Sequence, residues 1–151
     1  MNDLIEIKNK KAYFNYTIIS KFEVGIVLKG TEIKAIRNGA VNLVDSYAII
    51  KNNELFLLNM HIGQYKQGNI FNHDETRTRK LLMHKKEIIK LNNLLLTDNL
   101  TLIPLKLYFK GNRAKILLGL AKGKKIHDKR QTIKERDLKR EIQKTHKETY
   151  R

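Results

Sequence analysis

The sequence predicts a mainly β fold with short helices, an OB-like small β-barrel over residues 1–122, followed by a basic C-terminal tail over residues 123–151. Two observations support this prediction. The first two thirds of the chain hold short apolar runs, rich in β-branched and aromatic residues and separated by polar turns. The last third is dominated by charged residues and has too few apolar residues to build a core.

Three stretches predict the strands of the barrel. "YTIISKFEVGIVLKG" predicts one long strand, or a bent pair with Gly25 at the bend. "SYAIIKNNELFLLNMHI" predicts a hairpin that turns at residues 51–54. "TLIPLKLYFKGNRAKILLGLA" predicts a second hairpin that turns at Gly111 and Asn112.

Two short helices are predicted between these strands. In "TEIKAIRNG", Thr31 is a candidate N-cap, Glu32 lies in the first turn, and Gly39 follows the last turn, where glycine is favoured. In "HKKEIIKLNNLLLTDN", one helical face is apolar and an asparagine follows the helix. The residues concerned are Ile88, Leu91, Leu95 and Asn99.

Short antiparallel strands with small helices favour a closed or partly open barrel, and OB-like barrels often carry oligonucleotide sites. An RRM-like α/β sandwich is the structural alternative. It is weakened because the sequence lacks a second long helix and an aromatic run of the RNP type.

The charge of the chain indicates a polyanionic partner. The 31 Lys and Arg residues against 15 Asp and Glu give a net charge of +16. Residues 1–105 carry 15 basic and 10 acidic side chains, whereas residues 106–151 carry 16 basic and 5 acidic ones. Such an imbalance is typical of proteins that bind nucleic acid or an anionic membrane.

Several classes of protein are excluded or disfavoured. The chain has no cysteine, so disulfides and thiolate metal sites are impossible. "MNDLIEIKNKK" lacks the apolar region of a signal peptide, and the apolar runs fall far short of the ~20 residues that span a bilayer. We therefore expect a cytoplasmic monomer that binds no membrane, metal, cofactor or small-molecule substrate.

Histidines beside carboxylates are the candidates for catalysis. His73 precedes Asp74 and Glu75, and His127 precedes Asp128, but neither has the helical spacing of a zinc site. The sequence also lacks a nucleotide-binding glycine loop and a nucleophile elbow. A nuclease that uses His73 or His127 is the enzymatic alternative, and we expect a protein without enzymatic activity.

Two segments of the predicted barrel have RNA-binding chemistry. Arg77, Arg79 and Lys80 form a basic cluster suited to phosphate oxygens or a looped-out base. "NKKAYFNY" interleaves Asn9, Lys10 and Lys11 with aromatic residues that could stack on bases. The alternative for these aromatic residues is partial burial in a first strand.

The C-terminal tail has only a thin apolar stripe. The stripe consists of Ile126, Ile133, Leu138 and Ile142. Burial of so few apolar side chains would release too little free energy to offset the entropy lost when the segment becomes ordered. Its helix propensity is good, but repulsion between Arg136 and Arg140 opposes a free helix. We expect the tail to be disordered when free and helical once phosphates neutralise its cations.

From about Asn9 to its C-terminus, the chain resembles the SsrA-binding protein (small protein B) family. The resemblance depends on several motifs in the family's order, most specifically the last of them. The motifs are "NKKAYFNY", "FEVGIVLKGTEIKAIRNG", "DSYA", "TRTRKLL" and "GLAKGKKIHDKRQTIKERD". Glu75 departs from the family pattern, in which a proline is common there, so the loop before "TRTRKLL" is expected to be less rigid.

The resemblance implies an adaptor of trans-translation. The barrel would bind the tRNA-like domain of transfer-messenger RNA. The tail would enter the empty mRNA channel and decoding centre of a stalled ribosome in place of an anticodon stem, so that the ribosome is rescued and the nascent peptide is tagged for degradation.

The implied contact residues fall into two sets. The RNA-binding surface of the barrel would hold Asn9, Lys10, Glu23, Arg77, Arg79, Lys80 and Leu82, to which side-chain chemistry adds Lys11. The ribosome-binding tail would hold Lys124, Lys125, His127, Asp128, Lys129 and Arg130, continued by Ile133, Lys134 and Arg136.

Two alternatives stay open. A structural ribosomal or ribosome-assembly protein that binds rRNA would share the barrel and the basic extension.

Glu23 repels phosphate, so an RNA role requires it to accept hydrogen bonds from base edges or 2′-hydroxyls. Its other interpretation is a surface charge paired with Lys21.

Overall fold

The structure is a computed structural model that describes residues 5–65 and 72–124. The strands within these ranges are β1 Glu6–Lys8, β2 Tyr16–Ile26, β3 Val41–Asn42, β4 Tyr47–Lys51, β5 Glu54–Leu58, β6 His61–Ile62, β7 Arg79–Leu82, β8 Thr101–Lys110 and β9 Arg113–Gly123. The helices are α1 Lys10–Asn15, α2 Gly30–Arg37 and α3 Lys85–Asp98.

Six strands close into a ring. In the sheet, β8 pairs with β4, followed in order by β5, β7, β2 and β9, and β9 returns to pair with β8. All of these pairings are antiparallel. The mainly β barrel predicted from the sequence is confirmed, and the closed ring excludes the open RRM-like sheet.

Both predicted hairpins are present because their turns suit the required backbone. Lys51 pairs with Glu54 across Asn52 and Asn53, and both asparagines have positive φ, which asparagine tolerates better than most residues. The second hairpin turns at Gly111, whose φ is +65°.

Helix α2 begins two residues earlier than its sequence predicts. Lys29 is the N-cap residue, and the Thr31 hydroxyl instead contacts Nδ1 of His73 at 2.9 Å, so the prediction of Thr31 as the cap is wrong. The other end follows the prediction. Gly39 has a φ of +79° and donates to the Ile36 carbonyl at 2.9 Å, which forms part of a Schellman motif.

The first half of the barrel differs from the prediction in α1 and agrees with it in β2. Tyr13 and Phe14 lie in helix α1, so their interpretation as part of a first strand is wrong, whereas Tyr16 is partly buried as the first residue of strand β2. Strand β2 runs unbroken through Gly25, so the single long strand is confirmed rather than the bent pair, and its register shifts between Ile18 and Ser20.

The core fills the barrel interior and continues under α3. Side chains such as Leu57, Leu107 and Ile116 are completely buried inside the ring. Ile88 and Leu91 of α3 are buried against this core, and Leu95 packs against it from the rim. Asn99 ends the helix with a φ of +52°, as the sequence predicts.

The barrel extends slightly beyond the predicted boundary at residue 122. Gly123 pairs with Tyr16, and the backbone N–H of Lys124 donates to the Asn15 carbonyl at 2.9 Å. The rest of the tail, residues 125–151, lies outside the described residues. Within the described ranges, no helix is long and apolar enough to cross a membrane.

Close packing of β9 against β8 generates a stability prediction. A Cβ on Gly119 would lie 2.9 Å from Cδ1 and 3.1 Å from Cγ of the buried Leu105. We expect Gly119→Ala to lower the free energy of unfolding by about 1–3 kcal/mol. Gly123→Ala is the control, because a Cβ there meets no other described atom within 4 Å. Equal urea-unfolding midpoints for the two variants would contradict the packing.

Candidate RNA interface

A buried ionic cluster lies between α2 and β7. We call it the Glu32 cluster, and it consists of Glu32, Arg77 and Arg79. Glu32 is completely buried at the start of α2 and accepts a hydrogen bond from the Lys29 backbone N–H at 2.7 Å. Its two carboxylate oxygens also accept from Arg77 Nη2 and Arg79 Nε, each at 2.5 Å.

Arg79 is a structural residue. Its side chain is 0% exposed, and its Nη1 donates to the Met60 carbonyl at 2.6 Å while its Nη2 donates to the Glu75 carbonyl at 3.2 Å. The guanidinium therefore joins α2, the connection between β5 and β6, and the loop before β7. The prediction that Arg79 contacts phosphate is wrong for this structure because no part of its side chain reaches the surface.

Arg77 also turns inward. Its side chain is 25% exposed, and its Nη2 lies 3.4 Å from the Val27 carbonyl in addition to its bond to Glu32. Among the described residues, its Nε is buried and has no hydrogen-bond partner. The sequence cluster of Arg77, Arg79 and Lys80 is thus split, and only Lys80 of the three is exposed, with 48% of its side chain accessible to solvent.

The Glu32 cluster keeps its charges inside the protein. Burial raises the pKa of Glu32, but hydrogen bonds from Arg77, the Lys29 backbone and Arg79 outweigh burial and hold that pKa below its ordinary value. Burial lowers the pKa of Arg79, and the hydrogen bond and charge of Glu32 oppose this effect. Arginine stays protonated in proteins, so the pair is ionic at neutral pH.

Asn9 is buried rather than presented to a ligand. Its Nδ2 donates to the Pro104 carbonyl at 2.9 Å and to the Leu43 carbonyl at 3.3 Å. Its backbone N–H donates to the Leu105 carbonyl at 2.9 Å. Direct RNA contact by Asn9 is therefore wrong for this structure, and the residue instead anchors the start of α1 to β8.

Lys10 and Lys11 are exposed on α1 but point to different surfaces. Lys10 lines an open cavity of about 390 Å³ together with Lys8, Lys21 and Lys106. Lys11 lines a separate cavity together with Tyr47. The structure therefore does not bring these two lysines together as one contact site.

Glu23, Lys80 and Leu82 do share one surface, which we call the β2–β7 face. All three line an open cavity of about 630 Å³ between the β4–β5 turn and the start of α3. Alternation along β7 buries Arg79 and Leu81 and turns Lys80 and Leu82 outward. Leu82 is 52% exposed, an unusual position for a large apolar residue on a strand that also forms the core.

The carboxylate of Glu23 is held from strand β8. It accepts a short hydrogen bond from the Tyr108 hydroxyl, and Lys110 Nζ lies 3.5 Å from its other oxygen. Lys21 instead lies over the ring of Tyr13, 5.8 Å from its centroid, so the alternative interpretation of Glu23 as a surface charge paired with Lys21 is wrong. Sequence reasoning missed Tyr108 because 85 residues separate it from Glu23.

His73 has a structural explanation. It is 2% exposed, its Nε2 donates to the Ile62 carbonyl at 2.9 Å, and its Nδ1 faces Thr31. Both ring nitrogens are therefore occupied by contacts that fix the loop before β7. Two further contacts hold the same loop. The Glu75 carboxylate lies 2.8 Å from His61 Nε2, and the Glu75 backbone carbonyl accepts a hydrogen bond from the Ile62 N–H at 2.9 Å.

The predicted tail residues lie almost entirely outside the described part of the chain. Lys124 is described, and its Nζ donates to the Tyr13 carbonyl at 3.0 Å. The predicted contacts that fall beyond it are Lys125, His127, Asp128, Lys129, Arg130, Ile133, Lys134 and Arg136.

Comparison with known proteins identifies the family. The family described as SmpB protein matches residues 6–148. The SsrA-binding protein of Carboxydothermus hydrogenoformans is 60% identical over 143 residues, covering 95% of this chain and 96% of its own. That of Bacillus subtilis (strain 168) is 56% identical over 142 residues, covering 94% and 91%.

A solved structure described as "tmRNA-SmpB: a journey to the center of the bacterial ribosome" is also similar. It matches with a TM-score of 0.68 and 44% identity, and the match covers 81% of this chain and 86% of that one. The chain belongs to the SmpB family.

The Glu32 cluster generates a second stability prediction. Arg79→Met keeps a long side chain but leaves Glu32 without its completely buried cation, and we expect a loss of about 3–5 kcal/mol in the free energy of unfolding. Lys80→Met is the matched control, since its ion pair with Glu54 is half exposed and 3.6 Å long. That pair contributes at most about 1 kcal/mol. Urea unfolding of both variants measures the difference, and equal losses would contradict the structural role of Arg79.

Proposed function

We propose that this protein is an RNA-binding adaptor of trans-translation. In this proposal the barrel binds the tRNA-like domain of transfer-messenger RNA and delivers it to stalled ribosomes, where the nascent peptide is tagged for degradation. The observation that carries the proposal is the family match over residues 6–148, together with relatives named SsrA-binding protein. The net charge of +16 supports a polyanionic partner.

The β2–β7 face is the proposed centre of the barrel's RNA contact. Lys80 supplies a cation for phosphate, Leu82 an apolar surface for a sugar or base, and Glu23 an acceptor for base-edge or 2′-hydroxyl donors. Lys10 and Lys11 are further proposed contacts for phosphates that lie away from this face. Arg77, Arg79 and Asn9 support the contact surface from within the barrel.

The C-terminal tail is the proposed ribosome-binding element. Its cations would be neutralised by rRNA phosphates in the mRNA channel and decoding centre, and its strong helix formers would then order as a helix. We place the start of this element after Lys124, because the described barrel extends to that residue. The barrel before residue 125 and the tail after it are the two proposed units.

The proposed action is binding rather than catalysis. The ring nitrogens of His73 contact Thr31 and Ile62, which supports a structural role for this candidate catalytic histidine. The proposed partners are RNA and the ribosome, which act in the cytoplasm. We propose that the protein works there as a monomer and without a cofactor.

Affinity purification of the full chain from bacterial cells, followed by sequencing of the bound RNA, tests the function. We expect one dominant transfer-messenger RNA species in the eluate. Stoichiometric rRNA in intact subunits, without enrichment of transfer-messenger RNA, would contradict the proposal and favour a structural ribosomal protein.

The acceptor role of Glu23 generates a binding prediction. Glu23→Gln preserves the shape of the side chain but removes its charge and half of its acceptor capacity, and we expect about tenfold weaker binding of the tRNA-like domain. Glu75→Gln is a control, because that carboxylate is also exposed and paired but lies outside the β2–β7 face. Unchanged affinity of a folded Glu23→Gln variant, measured by fluorescence titration, would eliminate the acceptor role.

The tail generates a separate prediction. We expect a chain that ends after Lys124 to keep its fold and its affinity for isolated transfer-messenger RNA, because the core and the β2–β7 face lie before this residue. The same chain should fail to support peptide tagging in a reconstituted translation reaction with stalled ribosomes. Tagging by this truncated chain at the rate of the full chain would show that the tail has no part in the function.

A further inference from the structure

The carboxylate of Glu23 is oriented by a residue two strands away. β9 lies between β2 and β8, and Glu23 pairs with Leu117 of β9 while Tyr108 pairs with the neighbouring Lys115. The phenol of Tyr108 therefore reaches diagonally across β9 to donate to Glu23. Lys106 Nζ lies over the Tyr108 ring, 5.1 Å from its centroid.

The ionisation of both partners fixes which group donates. The hydrogen bond from Tyr108 lowers the pKa of Glu23, with the charges of Lys110 and Lys115 acting in the same direction against desolvation. Burial and the bond to Glu23 raise the pKa of Tyr108 to about 12. At neutral pH the phenol is therefore protonated and the carboxylate is charged.

Tyr108 holds Glu23 more firmly than Lys110 does. The Lys110 side chain is 68% exposed and its Nζ is 3.5 Å from the carboxylate, a geometry typical of weak surface ion pairs. The phenol, by contrast, is a partly buried donor on a rigid ring with few rotamers. Each carboxylate oxygen has two lone-pair sites, so one site on each oxygen stays available to a ligand.

We propose that Tyr108 is a positioning residue for RNA recognition, whose hydroxyl holds the Glu23 carboxylate so that its free lone pairs accept N–H or O–H donors of the RNA. This inference rests on the proposed function. A long exposed glutamate loses rotamer freedom when it binds a ligand, and a carboxylate that is already oriented avoids much of that cost. In this proposal Lys110 and Lys115 attract the phosphate backbone of the RNA, while Glu23 selects N–H or O–H donor groups of the RNA.

A double-mutant cycle tests the proposal. Fluorescence titration with the tRNA-like domain of transfer-messenger RNA would compare the unaltered chain with Tyr108→Phe, Glu23→Gln and the double variant. We expect Tyr108→Phe to bind about two- to tenfold more weakly, in keeping with the ordering cost of one side chain. The double variant should bind no more weakly than Glu23→Gln alone, because Tyr108 would act only through Glu23.

Tyr65→Phe is the matched control. It removes a phenol that lies beside Lys34 of α2, away from β8, and it should leave the affinity unchanged. Urea unfolding of each variant would show that the binding losses occur in folded protein.

Carbon-13 NMR of the Glu23 carboxyl group gives a readout that a purely structural role would not change. Tyr108→Phe should raise the titration midpoint of Glu23, while Lys110 and Lys115 beside it and Lys80 and Glu87 around the cavity are unaltered. Two results would overturn the inference: an affinity of Tyr108→Phe equal to that of the unaltered chain, or multiplied losses in the double variant. If the unaltered chain bound no RNA, the proposed function would fail. The NMR result is independent of RNA binding, and a titration midpoint of Glu23 that is unchanged in Tyr108→Phe would overturn the positioning role.

Discussion

The buried hydrogen bonds of Glu32 are the constraint on which the arrangement of the β2–β7 face depends. An unpaired carboxylate inside the barrel would be strongly destabilising, so its donors must remain in place. Arg79 donates a hydrogen bond to the Glu32 carboxylate and also donates to the Met60 and Glu75 carbonyls. One guanidinium thereby joins a helix and two loops. Since side chains alternate along a strand, drawing Arg79 inward turns Lys80 and Leu82 outward.

Two glutamates with the same side chain have opposite roles because of their surroundings. Glu32 is completely buried, and cationic and backbone donors occupy its oxygens. Glu23 is exposed and is held from one side only, which leaves acceptor sites open to solvent. The first stabilises the scaffold, and the second is available for recognition. Environment rather than residue type therefore separates the buried structural carboxylate from the exposed one that we propose binds RNA.

Local chemistry made much of the fold predictable. Asparagine and glycine at the hairpin turns, Gly39 after α2 and the apolar face of α3 each determine structure within a few residues. The predicted phosphate contact of Arg79 was wrong because basic residues close together in a sequence, here Arg77, Arg79 and Lys80, usually lie on the surface. Period-two alternation in "TRTRKLL" places Arg79 on the side of Leu81 and opposite Lys80. The contact between Glu23 and Tyr108 could not be inferred, since only the register of three strands brings the two residues together.

Carbon-13 NMR titration of the Glu32 carboxyl group in the folded, unaltered chain tests the central constraint most directly. A pKa below the ordinary 4.5 means that the cluster stabilises the fold fully above that pH and loses this contribution as the pH falls through the folded value. We expect Glu32 to remain ionised in folded protein at pH values where an ordinary glutamate is half protonated. A titration midpoint at or above 4.5 in folded protein would contradict the account, because the arginines would then not hold the carboxylate in its charged form.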